Sequence, residues 1–160
     1  MFKSLFAPIL AVIAVIIVVG YFYKNPQKLS NIQTPQKIVK IAEVSIPVEL
    51  ADTDEKRVKG LSGRSSFDEK SGMLFVFDNK QITPVFWMKD MQIPLDIIWI
   101  GSGKIVKIDE NVPAPVAGTP DTKLTNYSPG SPIDYVLEVN SGFSGKNKIK
   151  AGDSVDLSGI

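Results

Sequence analysis

The stretch PVFWMKDMQIPLDIIWIG, residues 84–101, decides how the rest of the chain is read. Its second half, LDIIWIG, alternates so that Asp96, Ile98 and Ile100 share one face while Leu95, Ile97 and Trp99 share the other. Apart from Asp96 both faces are apolar, the pattern of a strand covered on both sides. A carboxylate at such a position needs compensating hydrogen bonds or a counter-charge. Backbone N–H groups could supply them, and so could Lys89, Arg57 or Arg64. Two readings follow: Asp96 anchors the strand after the turn at Pro94, or it lines a site. Anchoring is preferred.

Strand patterns continue on either side. IVKIAEVSIPVELA, residues 38–51, begins with a period of two, and Pro47 assigns part of it to an edge or a broken strand. GMLFVF (72–77), TPVFWMK (83–89), KIVKIDENV (104–112), DYVLEVN (134–140) and DSVDLS (153–158) are further strand candidates. GSGK (101–104) is a hairpin signal, GFSGKNK (142–148) a turn or short helix, and the proline-rich segment 112–132 a long connection. One short helix is expected in DTDEKRVKG, with Asp52 or Thr53 as cap, Asp54 and Glu55 in its first turn and Gly60 as stop. Val58 and Leu61 should face inward. The expected fold is mainly β (α+β), a compact antiparallel β-barrel or sandwich-like domain with one short helix, over residues 41–160.

The N-terminal segment is different. LFAPILAVIAVIIVVGYFY, residues 5–23, carries no charge, and as a helix its 19 residues would span about 28 Å, close to the hydrocarbon thickness of a bilayer. Tyr21, Phe22, Tyr23 and Lys24 make an aromatic and basic boundary of interfacial type. No small-x-small cleavage pattern follows, so residues 1–23 are expected to form an uncleaved transmembrane anchor. Residues 24–40, polar and containing Pro26 and Pro35, read as a linker. A strict count of flanking lysines would keep the domain in the cytoplasm. A signal anchor with so short an N-terminal tail would export it, and an extracytoplasmic domain is the expectation adopted.

Composition narrows the chemistry. There is no cysteine and no histidine, which removes thiolate chemistry, the commonest general base and the commonest metal ligand. Neither a metal nor a cofactor is expected. Beyond the anchor the chain has 17 basic and 17 acidic side chains, so nothing favours nucleic acid. Its 16 lysines contrast with two arginines, both in RVKGLSGR, where planar bidentate recognition gives Arg57 and Arg64 a reason to be arginine. Their expected partner is internal, Asp96 above all. Trp87 and Trp99 read first as core, although Trp87 beside Lys89 could floor a groove. Tyr127, in the long loop, is the expected lid residue.

The segments RVKGLSGR, SGMLFVF, FWMKDMQIPLDIIWI, YSPG, YVLEVNSGF and IKAGDSV, in this order over about residues 45–157, resemble the bacterial and archaeal domain of unknown function 192 family. FWMK followed by IPLDIIWI is the specific part. The resemblance implies a small β-rich domain, often behind a signal peptide or anchor, and no reaction. This chain departs from the family in Ser62, where Met is frequent, and in Asp90 and Met91, where Asn-Thr is frequent.

The functional expectation is therefore a membrane-tethered binding module for a small ligand or an envelope partner, with candidate residues Arg57, Arg64, Trp87, Lys89, Asp96 and Tyr127. One alternative is an envelope hydrolase using carboxylate or lysine chemistry, which requires Asp96 to meet a second ionisable group in a cleft. The other is a structural partner of another membrane protein.

Overall fold

The computed structural model describes residues 36–160. The anchor expected at 1–23 and most of the linker lie outside the described residues. Among the described residues no helix is long and apolar enough to cross a membrane. The first strand begins at Lys37, so the last four residues assigned to the linker belong to the β domain. The alternation KIVKI accounts for this, because it buries Val39 and Ile41 and leaves their neighbours exposed.

The described residues form nine strands: β1 (Lys37–Ile41), β2 (Val44–Ala51), β3 (Gly72–Val76), β4 (Phe86–Trp87), β5 (Leu95–Gly101), β6 (Lys104–Val112), β7 (Asn126–Tyr127), β8 (Tyr135–Asn140) and β9 (Val155–Asp156). Seven make one sheet in the order β6-β5-β8-β3-β2-β1-β9, and β4 pairs with β7 as a separate ribbon. The ends of the large sheet approach each other. Lys104 bridges Ser154, the Ile105 N–H donates to the Asp153 carbonyl at 3.0 Å, and the Val155 N–H donates to the Gly103 carbonyl at 2.9 Å. The result is a nearly closed barrel.

The expectation of an antiparallel sheet is corrected at one place: β2 and β3 run parallel. Their crossover carries helix α1 (Asp54–Lys59). Thr53 caps it, its side chain accepting the Lys56 N–H at 3.3 Å, and Gly60 ends it at φ 47°, a backbone conformation that glycine adopts readily. Val58 does not face inward; it is 84% exposed, whereas Leu61 in the following turn is buried. A helix of six residues is too short to present a continuous buried face. A second short helix, α2 (Phe143–Lys146), follows β8. Pro47 precedes Val48, the first residue of β2 to pair with β3, so the N–H it lacks forfeits no bond to that neighbour.

Strand alternation divides the apolar residues into two clusters. Val39, Ile41, Ile46, Val48, Leu74, Ile98, Ile100, Leu137 and Val139 fill the barrel. Phe75, Leu95, Ile97, Trp99 and Val136 face outward from the same strands and are covered by Leu61, Met88, Met91, Ile93 and Ile133. Gly72 fits tightly where β3 pairs with β8: a Cβ there would stand 2.7 Å from Leu137 Cδ1, which would have to shift.

Candidate functional site

Asp96 is wholly buried, and backbone alone satisfies it. Its Oδ1 accepts the N–H groups of Asn111 (2.8 Å) and Gly142 (3.0 Å), and its Oδ2 accepts that of Ser144 (2.9 Å). The cause is a bulge in the β5–β6 pairing. Leu95 faces Val112 and Ile97 faces Asp109, so Asp96 stands opposite two residues, Glu110 and Asn111, and takes up the freed Asn111 N–H. No basic side chain reaches it, which corrects the expected pairing with Arg57, Arg64 or Lys89.

Those cations are engaged elsewhere. Arg57 donates to the Val76 carbonyl at 2.6 Å and pairs with Asp54 (2.6 Å) and Asp78 (3.2 Å). Arg64 grips both oxygens of Glu49 at 2.8 and 2.7 Å, which holds the Glu49 carboxyl below its ordinary value, and lies 5.4 Å from the Phe67 ring centroid. Lys89 pairs with Asp121 in the middle of the long loop and sits 5.5 Å from the Trp87 ring centroid. Trp99 is core, its Nε1 donating to Asp109 at 2.7 Å. Trp87 is not core: it is 48% exposed. Tyr127, the expected lid residue, is half-buried and paired in β7 with Phe86. The six candidates therefore do not form one site.

Two of them, Arg57 and Trp87, converge on a cleft of about 420 Å³ between α1, the end of β3 and the segment 84–87. Phe75, Phe77 and Phe86 also line it, with Phe75 and Phe86 packed edge to face at a centroid distance of 4.9 Å. At its floor is Glu138 on β8, which the sequence reading missed. Its strand neighbours are Met73 and Ile97, and it remains 6% exposed. No hydrogen bond or opposite charge offsets its burial, which pushes its carboxyl up to about 8. The signal was available: YVLEVN places an acid in an apolar run, as LDIIWI does.

A larger cleft of about 640 Å³ lies beside Pro94 and α2, but its charged side chains, Glu69, Lys70 and Lys146, are exposed. A third, of about 430 Å³, lies beside Lys89, Gln92 and Asp121. Among the described residues no group of three or more carboxylates is placed to hold a metal ion.

The model of domain of unknown function 192, described as an uncharacterised ACR, matches residues 37–157. The chain belongs to this family. A protein of unknown function from Novosphingobium aromaticivorans DSM 12444 is 30% identical with a TM-score of 0.65, over 74% of this chain and 83% of that one. A protein from Sinorhizobium meliloti 1021, described as a candidate transcription regulator, is 27% identical with a TM-score of 0.68, over 81% of this chain and 99% of that one. The comparison with curated proteins found no match. The departures from the family pattern have local explanations. Asp90 occupies a left-handed turn (φ 56°), which Asn and Asp tolerate, Met91 is buried, and the Ser62 hydroxyl donates to the Lys89 carbonyl at 2.8 Å.

Proposed function

We propose that the domain is a membrane-tethered, extracytoplasmic binding module whose ligand occupies the Glu138 cleft. The observation that carries this reading is a largely buried carboxyl, with no protein hydrogen-bond partner, in a cleft lined by aromatic side chains. A group of that kind is costly to the fold and is expected where a ligand completes its hydrogen bonds. Arg57 and Trp87 remain site residues. Arg64, Lys89 and Tyr127 support the surrounding layer, and Asp96 anchors the start of β5 through backbone N–H groups. Tethering rests on the uncharged run at 5–23.

The binding reading is tested by nuclear magnetic resonance of the full-length chain against a panel of small polar, cationic, anionic and sugar ligands. Saturable shifts at Glu138, Phe86 and the Trp87 indole are expected from one class of ligand. Shifts confined to other clefts, or none from any class, would reject it. For topology, an alkaline phosphatase fusion after Ile160 is expected to be active, and an inactive fusion would reverse the assignment.

A hydrolase reading has one observation in its favour. A carboxyl held near 8 is suited to proton transfer at neutral pH, and Lys59 lines the same cleft. It predicts turnover that disappears in Glu138→Gln. The arrangement first expected for a hydrolase, Asp96 with a second ionisable group in a cleft, does not exist, because backbone N–H groups occupy both Asp96 oxygens.

A further inference from the structure

We infer that the Glu138 cleft takes a small organic cation, with the ammonium group against the Glu138 carboxylate and its alkyl portion against Trp87 and Phe77. This rests on the cleft being the ligand site, and it names the chemistry of the ligand.

Three observations point the same way. First, Glu138 has no counter-charge of its own. The nearest guanidinium, on Arg57, is already occupied by Asp54, Asp78 and the Val76 carbonyl, and so is not available to it. An anionic ligand would gain only Lys59, which is exposed and lies outside the Glu138 strand, whereas an ammonium ion would place its charge directly against the Glu138 carboxyl. Second, the walls are aromatic. Phe75, Phe77, Phe86 and Trp87 line the cleft, and ring faces attract alkylammonium groups most strongly where water is excluded. Third, the rim is unusually apolar for a surface: Trp87 and Val85 are both exposed there, offering contact to the uncharged part of such a ligand.

The charged groups bordering the cleft are Asp54, Arg57 and Lys59, all from α1. The strand neighbours of Glu138 on β3 and β5 are Met73 and Ile97, and the segment 84–87 adds no ionisable side chain. Titration of the site near neutrality therefore belongs to Glu138. Free, it is largely protonated at pH 7; binding a cation ionises it and releases its proton to the buffer. Raising the pH removes that competition, so affinity rises until Glu138 is ionised without ligand and then levels off.

The test compares choline with 3,3-dimethylbutan-1-ol, its uncharged isostere, by calorimetry on the full-length chain in a maltoside detergent. Choline should bind more tightly than the alcohol, and its affinity should rise about tenfold per pH unit between 6 and 8 and flatten above. Calorimetry in buffers of different ionisation enthalpy should show close to one proton released per choline at pH 6.5. Glu138→Gln, which keeps the fold because the neutral group suits the buried position, should lose both the preference for choline and the pH dependence. Trp87→Ala should weaken choline without altering the proton count. Equal or tighter binding of the alcohol, or a choline affinity flat across pH 6–8, would overturn the cation and leave the cleft as a site for neutral ligands. Choline shifts away from Glu138 and Trp87 would overturn the cation assignment at this cleft, and the wider ligand panel would decide the cleft separately.

Discussion

The Asp96 carboxylate and the Ser144 backbone N–H meet at 2.9 Å, joining the start of β5 to the start of α2. Because the same carboxylate also holds Asn111 and Gly142, three separated segments depend on one side chain. Asp96→Asn presents one accepting oxygen where three N–H groups converge on two, so at least one of them loses its partner or meets an NH₂ group. The expected loss is about 3 kcal/mol, because removing an acceptor strands buried donors. Urea denaturation of the variant checks it, and a midpoint equal to that of the wild type would contradict the anchoring role.

Glu138 should make the fold less stable as pH rises. Its carboxyl is raised from 4.5 in the unfolded chain to about 8 in the fold, so the native state holds the extra proton between those values. Stability contributed by the neutral form is complete below about 4.5 and lost as pH climbs toward 8, at up to ~1.4 kcal/mol per pH unit. Glu138→Gln should abolish that slope and be the more stable protein at pH 8. Equal slopes for the two proteins between pH 5 and 8 would show that Glu138 is ionised throughout.

The two tryptophans should separate cleanly in solution. Trp99 is wholly buried with its indole N–H on Asp109, whereas Trp87 is half-exposed at the cleft rim. Acrylamide quenching should therefore show one accessible and one protected emitter. In Trp87→Phe the accessible component should vanish while the melting temperature changes by less than about 3 °C, as expected for a surface substitution within ±0.5 kcal/mol.

Removing β1 should unfold the domain. Val39 and Ile41 are wholly buried in the barrel, and each contributes about 1.5–3 kcal/mol by burial, a large share of a typical total of about 5–15 kcal/mol. A fragment of residues 36–160 is expected to give a cooperative melt, and one of residues 42–160 is not. Circular dichroism of the two decides this, with identical melts the contrary result.

The strands that cross the core could be read from sequence because their signal is local. LDIIWIG, GMLFV and YVLEVN each carry the apolar density that burial on both faces demands. What escaped were features supplied by distant partners. The parallel pairing of β2 with β3 depends on how the α1 crossover returns, and Val58 stays exposed because a helix of six residues presents no continuous buried face. Arg64 found Glu49, fifteen positions away on another strand, in place of Asp96. Asp96 and Glu138 carry the same signature, an acid in an apolar run, yet one is saturated and the other unpartnered. The difference is set by where Asn111 and Gly142 come to rest, and no spacing within either strand records it.

The meeting of β9 with the start of β6 protects neighbouring molecules as well as this one. A sheet whose last strand stopped at β1 would display a row of unpaired N–H and C=O groups, an open template for strands of other chains. Here residues 152–156 occupy that edge from both sides, bonded to β1 and to Gly103 and Ile105. The C-terminal ten residues thus act as a stopper against self-association, and a chain cut short after Lys150 should scatter light at concentrations where the intact protein stays clear.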